Sequence, residues 1–255
     1  MIRFIIKMLV RRYLLTKVFM LLVLATGLHE AKAEFSACPD HFAPKAIPSF
    51  QAPDLFELCF DEFAVLYSAS TKTPLFTAQR YTPQSLGRAQ AVPRSDQFYE
   101  EARLPRAARA TLDDYRGSGY HRGHLGPSAS MPTYASEAQS FSLANIVPQA
   151  GEMNSGVWAK SVESATRKYV FRTRSTVFVV TGTLYETARK PNFIGNRVRV
   201  PDALYKLVYD QTLNRSWVFI VPNNNYETRP TRISYSEFKT RFGLDLLPGL
   251  NPPIK

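Results

Sequence analysis

The chain has few of the residues from which metal cages and dense disulfide frameworks are built. Its 255 residues include two cysteines, Cys38 and Cys59, and four histidines. There is no C-x-x-C pair and no Cys/His spacing of the zinc type, which excludes a structural zinc module. Internal repeats and low-complexity tracts are missing too, which excludes a repeat array. The longest apolar run is VFMLLVLATGL, Val18 to Leu28. It is short for a membrane span. Acids are in deficit, 21 Asp and Glu against 32 Lys and Arg, for a net charge of +11.

Much of that charge sits at the N-terminus. Residues 1–33 carry six Lys or Arg, among them Arg3, Lys7, Arg11, Arg12 and Lys17, against one acid. The apolar run follows, and Ala31-Lys32-Ala33 forms an A-x-A site. This is the pattern of a secretory signal peptide of bacterial type, with Glu34 as the first mature residue. An uncleaved anchor is the alternative, and Met8 is an alternative start. Taking the +5 of this segment from +11 leaves +6 on residues 34–255. Such a surface suits a polyanionic partner, and it equally suits ordinary solubility. Residues 34–255 are long enough for a single domain with a sizeable core. They begin with a Pro-rich lead-in over 34–55 (Pro39, Pro44, Pro48, Pro53). In an oxidising compartment Cys38 and Cys59 are expected to pair; two unpaired thiols are the alternative.

The stretch Gly119 to Ser130, GYHRGHLGPSAS, holds two of the four histidines. If it is extended, side chains alternate between faces. Arg122 and His124 then share one side, and His121 and Leu125 the other. An imidazole can take a proton from water near pH 7, and a guanidinium can hold phosphate oxygens. The divergence of the two histidines argues against zinc held by both. Read alone, the same run also fits a turn or a structural hydrogen-bonding cluster.

About twenty residues further on comes FSLANIVPQAGEMNSGVWAKSVESATRKY. Together the two stretches resemble the active-site region of the DNA/RNA non-specific endonucleases. These are the ββα-metal nucleases, bacterial nucleases and mitochondrial endonuclease G among them. Arg122, Gly123 and His124 match the first element of the family pattern. Asn145, Pro148 and Gln149 match the second, and Asn154 and Trp158 the third. Weaker resemblance runs from Phe63 to Leu250. One departure is plain: the family has Asp where this chain has His121.

The resemblance implies an α+β fold, a mixed and largely antiparallel sheet with packed helices and a ββα-metal motif. It implies His124 as general base and Asn154 as the direct ligand of one Mg²⁺, with Mn²⁺ as an alternative ion. Arg122 would stabilise charge, with Gly123 and His121 supporting the site. Asn145 and Gln149 would orient the loop and metal-bound waters, or else cap turns. The family acid lies eight residues after the metal Asn. Here the nearest, Glu163, lies nine on, opposite Asn154 on a regular helix; a helical bulge would restore the geometry. The expected function is exported, metal-dependent hydrolysis of DNA and RNA. No recognition helix or aromatic RNP motif is present to read bases, so the backbone is the expected partner. A nucleic-acid-binding protein with weakened catalysis and a small-molecule phosphodiesterase are the competing readings. A homodimer and a protein inhibitor are compatible partners; stable membrane association after cleavage is not expected.

Patterning supplies the scaffold. Residues 60–80 alternate as a hairpin, and 175–185 read as a buried strand. Residues 203–209 and 217–221 read as a strand pair, and 234–242 as a helix. Residues 140–147 are expected to be a strand antiparallel to the motif strand. Residues 153–174 are expected to be a helix with Trp158, Val162, Ala165 and Tyr169 on one face. Arg80, Arg88, Arg94, Arg103, Arg106 and Arg109 are scattered over an irregular region, as groove-lining or merely solvated residues.

Overall fold

The computed structural model describes residues 35–188, 190–226 and 229–253. The export signal and its cleavage site, read from residues 1–33, lie outside the described residues. No helix among the described residues is long and apolar enough to cross a membrane.

The sheet opens with β1 (Leu55–Cys59), β2 (Ala64–Ser68) and β3 (Thr73–Tyr81). β2 and β3 are the expected hairpin; β1 is an additional strand at the end of the lead-in. The structure joins Cys38 to Cys59, tying two 3-10 turns of that lead-in to the end of β1. The motif strand β4 (His121–His124) pairs antiparallel with β5 (Ile146–Gln149), setting His121 opposite Gln149 and His124 opposite Ile146. After β6 (Val177–Leu184) a small hairpin forms from β7 (Phe193–Ile194) and β8 (Val198–Arg199). β9 (Ala203–Asp210), β10 (Arg215–Pro222) and β11 (Thr231–Ile233) complete the main sheet. Its order is β1-β2-β3-β6-β9-β10-β11. Every neighbouring pair is antiparallel.

Both faces of this sheet are covered, so β6 is buried at every position, Thr181 and Thr183 included. Alternation still sorts its side chains. Phe178 and Val180 pack with Phe76 and Tyr205 of the neighbouring strands, and with Phe35 of the lead-in and Phe238 of the C-terminal helix. Val177 and Val179 face the other way, with Tyr169, Val208 and Trp217. That second face carries the ββα unit. Leu125, Val147, Trp158 and Val162 settle there against Leu204 and Val221.

Two expectations change. Residues 140–147 are not one strand: a helix runs Tyr134–Ser140, a 3-10 turn Leu143–Asn145, and β5 starts only at Ile146. The Ser142 side chain accepts from the Ala144 N–H and bends the chain there. Phe141 alternates with Leu143 because both are buried in a turn. The long helix is also not regular. It starts as α-helix over Gly151–Met153, runs as π-helix over Asn154–Ser164, and returns to α-helix over Ala165–Thr173. Trp158, Val162 and Tyr169 are buried as expected, but Ala165 is exposed, because the wider π turn shifts the phase at the junction.

Candidate active site

A cleft of about 540 Å³ opens where β4 meets the start of the long helix. Arg94, Phe98, Tyr120, His121, Arg122 and Asn154 are on its wall. Asn154 is the first residue of the π tract, and its N–H bonds to Ala150 O at 2.9 Å. The helix start is fixed from outside. Asn223 accepts from the Ala150 N–H and donates to the carbonyls of Pro148 and Pro201, while Asn225 accepts from the Glu152 N–H. In the sequence this Asn run reads only as a polar turn. Its role appears once β10 ends beside β5.

His124 sits behind the cleft wall. Its ring packs edge-on to Phe141 at 4.8 Å and against Phe98 at 5.5 Å. The Arg122 guanidinium lies 4.2 Å over Phe98, and that of Arg94 lies 4.9 Å over Phe141. So Arg122 and His124 do share one side, and a second arginine, from the irregular region, joins them. Arg94 is held by Asp96 and by the Ser128 hydroxyl. His124 is 9% exposed, and its Nε2 has no hydrogen-bond partner. Burial, followed by the charge of Arg94, pushes its pKa down to about 3. At neutral pH it is therefore an uncharged base with a free ring nitrogen.

Alternation along β4 has His121 face away from the reacting side. The structure corrects this in part. Its ring lies against Gly151, where a Cβ would sit 2.9 Å from Nε2. It is exposed and lines the same cleft as Arg122 and Asn154. The reason is local: β4 pairs only with β5, and Gly151 leaves room for the ring at the cleft mouth.

Gly123 is required by close approach. A Cβ there would lie 2.1–2.5 Å from the Gln149 side chain. Gln149 lies fully buried across β4, with Nε2 donating to His124 O at 3.4 Å and Oε1 unpartnered. It thus touches the backbone of His124 and is not on the cleft wall. Asn145 is also fully buried. Its Oδ1 accepts from the Thr77 hydroxyl and the Gly126 N–H, and its Nδ2 donates to the carbonyls of Gly126 and Ser140. All four amide positions are committed, so Asn145 bolts the motif loop to β3 and has none left for metal-bound water.

Glu163 is 12% exposed and lies 4.0 Å from Arg167. Burial raises its pKa, while the charges of Lys206, Arg167 and Arg94 oppose that rise. Bonding from i to i+5 gives more than four residues per turn, so nine steps make about two full turns. By that geometry the π tract turns Glu163 toward the side of the helix that carries Asn154. No group of three or more His, Cys, Asp or Glu able to hold a metal occurs among the described residues. A single amide on a polar cleft wall suits Mg²⁺, which keeps most of its waters and needs few protein atoms. The free Nε2 of His124 fits the same arrangement.

The family described as DNA/RNA non-specific endonuclease matches over residues 43–252. The mitochondrial nuclease of Saccharomyces cerevisiae is 30% identical over 224 residues, covering 76% of this chain and 66% of that one. A nuclease of Nostoc is 28% identical over 226 residues, covering 82% and 80%. The solved EndoG/EndoGI complex contains a chain alike in fold, with a TM-score of 0.65 at 23% identity, covering 78% of this chain and 86% of that one. With the family match running from the lead-in almost to the C-terminus, over a ββα unit that holds the matching residues, the chain belongs to the DNA/RNA non-specific endonuclease family.

Proposed function

We propose that this chain is an exported endonuclease that hydrolyses phosphodiester bonds of DNA and RNA without reading sequence. The observation that carries the reading is His124: buried, uncharged at neutral pH, with a free Nε2 and a guanidinium on each side of its aromatic packing. His124 accepts a proton from the attacking water. Arg94 and Arg122 hold the phosphate and offset the charge that builds on it. Asn154 would hold one Mg²⁺, or Mn²⁺ in its place, and the bound ion supplies Lewis-acid stabilisation of the phosphoryl oxygens. Glu163 supports the helix side of the site through Arg167 and Lys206. Gln149 and Asn145 act through the backbone of the motif loop. Export rests on the signal read in residues 1–33. EndoG is inhibited in the EndoG/EndoGI complex; on that likeness we include an inhibitory protein among the partners.

The test is a closed circle. The mature protein is incubated with supercoiled plasmid, and separately with RNA, in Mg²⁺ or in EDTA. Nicking of the plasmid and loss of the RNA in Mg²⁺ alone are the expected results. Retention of DNA without any nicking would establish the binding-protein reading instead. His121 is the residue that divides the two. His121→Asp is expected to keep or modestly raise activity, and His121→Ala to cost about ten-fold or less. A His121→Ala variant that is dead while His124→Ala is active would make His121 the base.

A further inference from the structure

A second basic cleft, of about 400 Å³, lies at the far end of the long helix. The helix contributes Lys168, Tyr169 and Arg172, and β10 contributes Arg215, Trp217 and Phe219. Arg232 comes from β11. The acid that meets this cluster, Asp210, is buried and engaged by the Tyr169 hydroxyl and the Leu213 N–H. Arg215 is committed to the Tyr169 hydroxyl at 2.7 Å. Lys168, Arg172 and Arg232 take part in no ion pair among the described residues. Arg232 is stacked 4.8 Å over the Trp217 ring, and Arg172 lies 5.6 Å from that of Tyr169. Trp217 is 4% exposed, yet its Nε1 has no hydrogen-bond partner. A buried indole N–H ordinarily finds an acceptor.

Three cations outside any such ion pair, a buried donor without an acceptor and the half-buried ring of Phe219 meet at one cleft. An anion with several acceptor oxygens would satisfy the cations and the indole together. We propose that this cleft is a second binding site for the phosphodiester backbone of a nucleic-acid strand, engaged while another part of the strand occupies the catalytic cleft. The inference rests on the nuclease reading given above. Distance favours a strand over a small anion. From Asn154 to Tyr169 the helix advances roughly 20 Å, at about 1.5 Å per residue or slightly less. That is about six steps of a strand carrying one charge per ~3.4 Å. Phe219, half-buried at this cleft, offers apolar surface for a sugar or base edge beside the phosphates, the usual partnership in sequence-independent strand binding.

The test neutralises these cations in the full chain with Lys168→Gln, Arg172→Gln and Arg232→Gln combined. Binding is read by fluorescence anisotropy in EDTA, with single strands of about 20 and about four nucleotides. The long strand should bind about ten-fold more weakly. Its slope of log K against log salt should flatten by about 2, three contacts at ~0.7 each. The short strand should be unaffected. In Mg²⁺ the KM for the long strand should rise with kcat unchanged. An unaltered slope on the long strand overturns the proposal, as does an equal loss on the short one. Conversion of a dimer to a monomer by the triple variant, seen by light scattering, would assign the cleft to contact between copies and likewise overturn it. A wild-type chain that neither binds nor cleaves any strand would remove the nuclease reading itself. Intact plasmid nicking with unchanged anisotropy would remove only the second site.

Discussion

His124→Ala is expected to lower cleavage by ~10²–10⁴-fold, the usual cost of losing a general base, while leaving the chain folded. The second half of that expectation follows from packing. The ring contributes a tilted contact to Phe98 and an edge contact to Phe141, each aromatic pair worth about 0.5–1.5 kcal/mol. It also buries a ring nitrogen with no partner, a loss of similar size. The two offset in part, the cavity left by the truncated ring adding to the cost of alanine, and His124→Phe, which keeps a ring and removes the orphan nitrogen, should be at least as stable as wild type and equally inactive. A residue kept at some cost to stability is what a site serving function looks like. The pH dependence follows from the same burial. The folded-state pKa is pushed to about 3, below the ordinary 6.5. Above 6.5 the group is neutral in both states. As pH falls below that value the unfolded chain takes up the proton and the folded chain resists. Stability then declines by up to ~1.4 kcal/mol per pH unit until the folded pKa is passed. The acid limb of kcat/KM should accordingly lie well below that of a solvated histidine. A limb near pH 6.5, or a His124→Phe variant that still cleaves, would take the base away from His124.

How much of this was legible in the chain depends on distance along it. The motif residues lie close together, and their spacing set out β4 and the helix, while the strand expected over 140–147 proved to be a turn followed by β5 at Ile146–Gln149. The pattern of residues 175–185 marked the central strand, and Cys38 and Cys59 were left with only each other. What was hidden came from elsewhere in the sequence. Phe98 and Arg94 sit in an irregular region with no periodicity, so nothing marked them as the wall that buries and tunes His124. Asn145 looked like a site residue because it belongs to the motif. Only the approach of Thr77 in β3 shows that its amide is spent on holding the loop. The π tract has no composition of its own. Trp158 and Val162 are spaced as well for an α-helix as for a wider one, and only Ala165, exposed where burial was expected, betrays the difference.

That tract bears on the other large effect, at Asn154. Asn154→Ala is expected to reduce cleavage ~10²–10³-fold, comparable to removing a group that positions charge at the transition state, but by a different route from His124. The substitution leaves the backbone bond from residue 154 to Ala150 O intact. Alanine is also the better helix former, so the fold is not at risk. What is lost is one amide oxygen on the cleft wall. Mg²⁺ makes few protein contacts, so that one donor carries much of the affinity. The defect should therefore appear first as a shift in the Mg²⁺ concentration needed for half-maximal activity, and excess Mg²⁺ should restore part of the rate. Asn154→Asp, which keeps an oxygen in place, should lose far less. Glu163→Gln should raise the required Mg²⁺ modestly, because the π tract turns Glu163 toward the Asn154 side; a silent substitution would take Glu163 away from the ion. The measurement is a Mg²⁺ titration of initial rates for the four proteins, wild type included, with calorimetric titration of Mg²⁺ as a readout independent of turnover. Identical Mg²⁺ curves for wild type and Asn154→Ala would show that the ion is held by other groups, whatever the effect on rate.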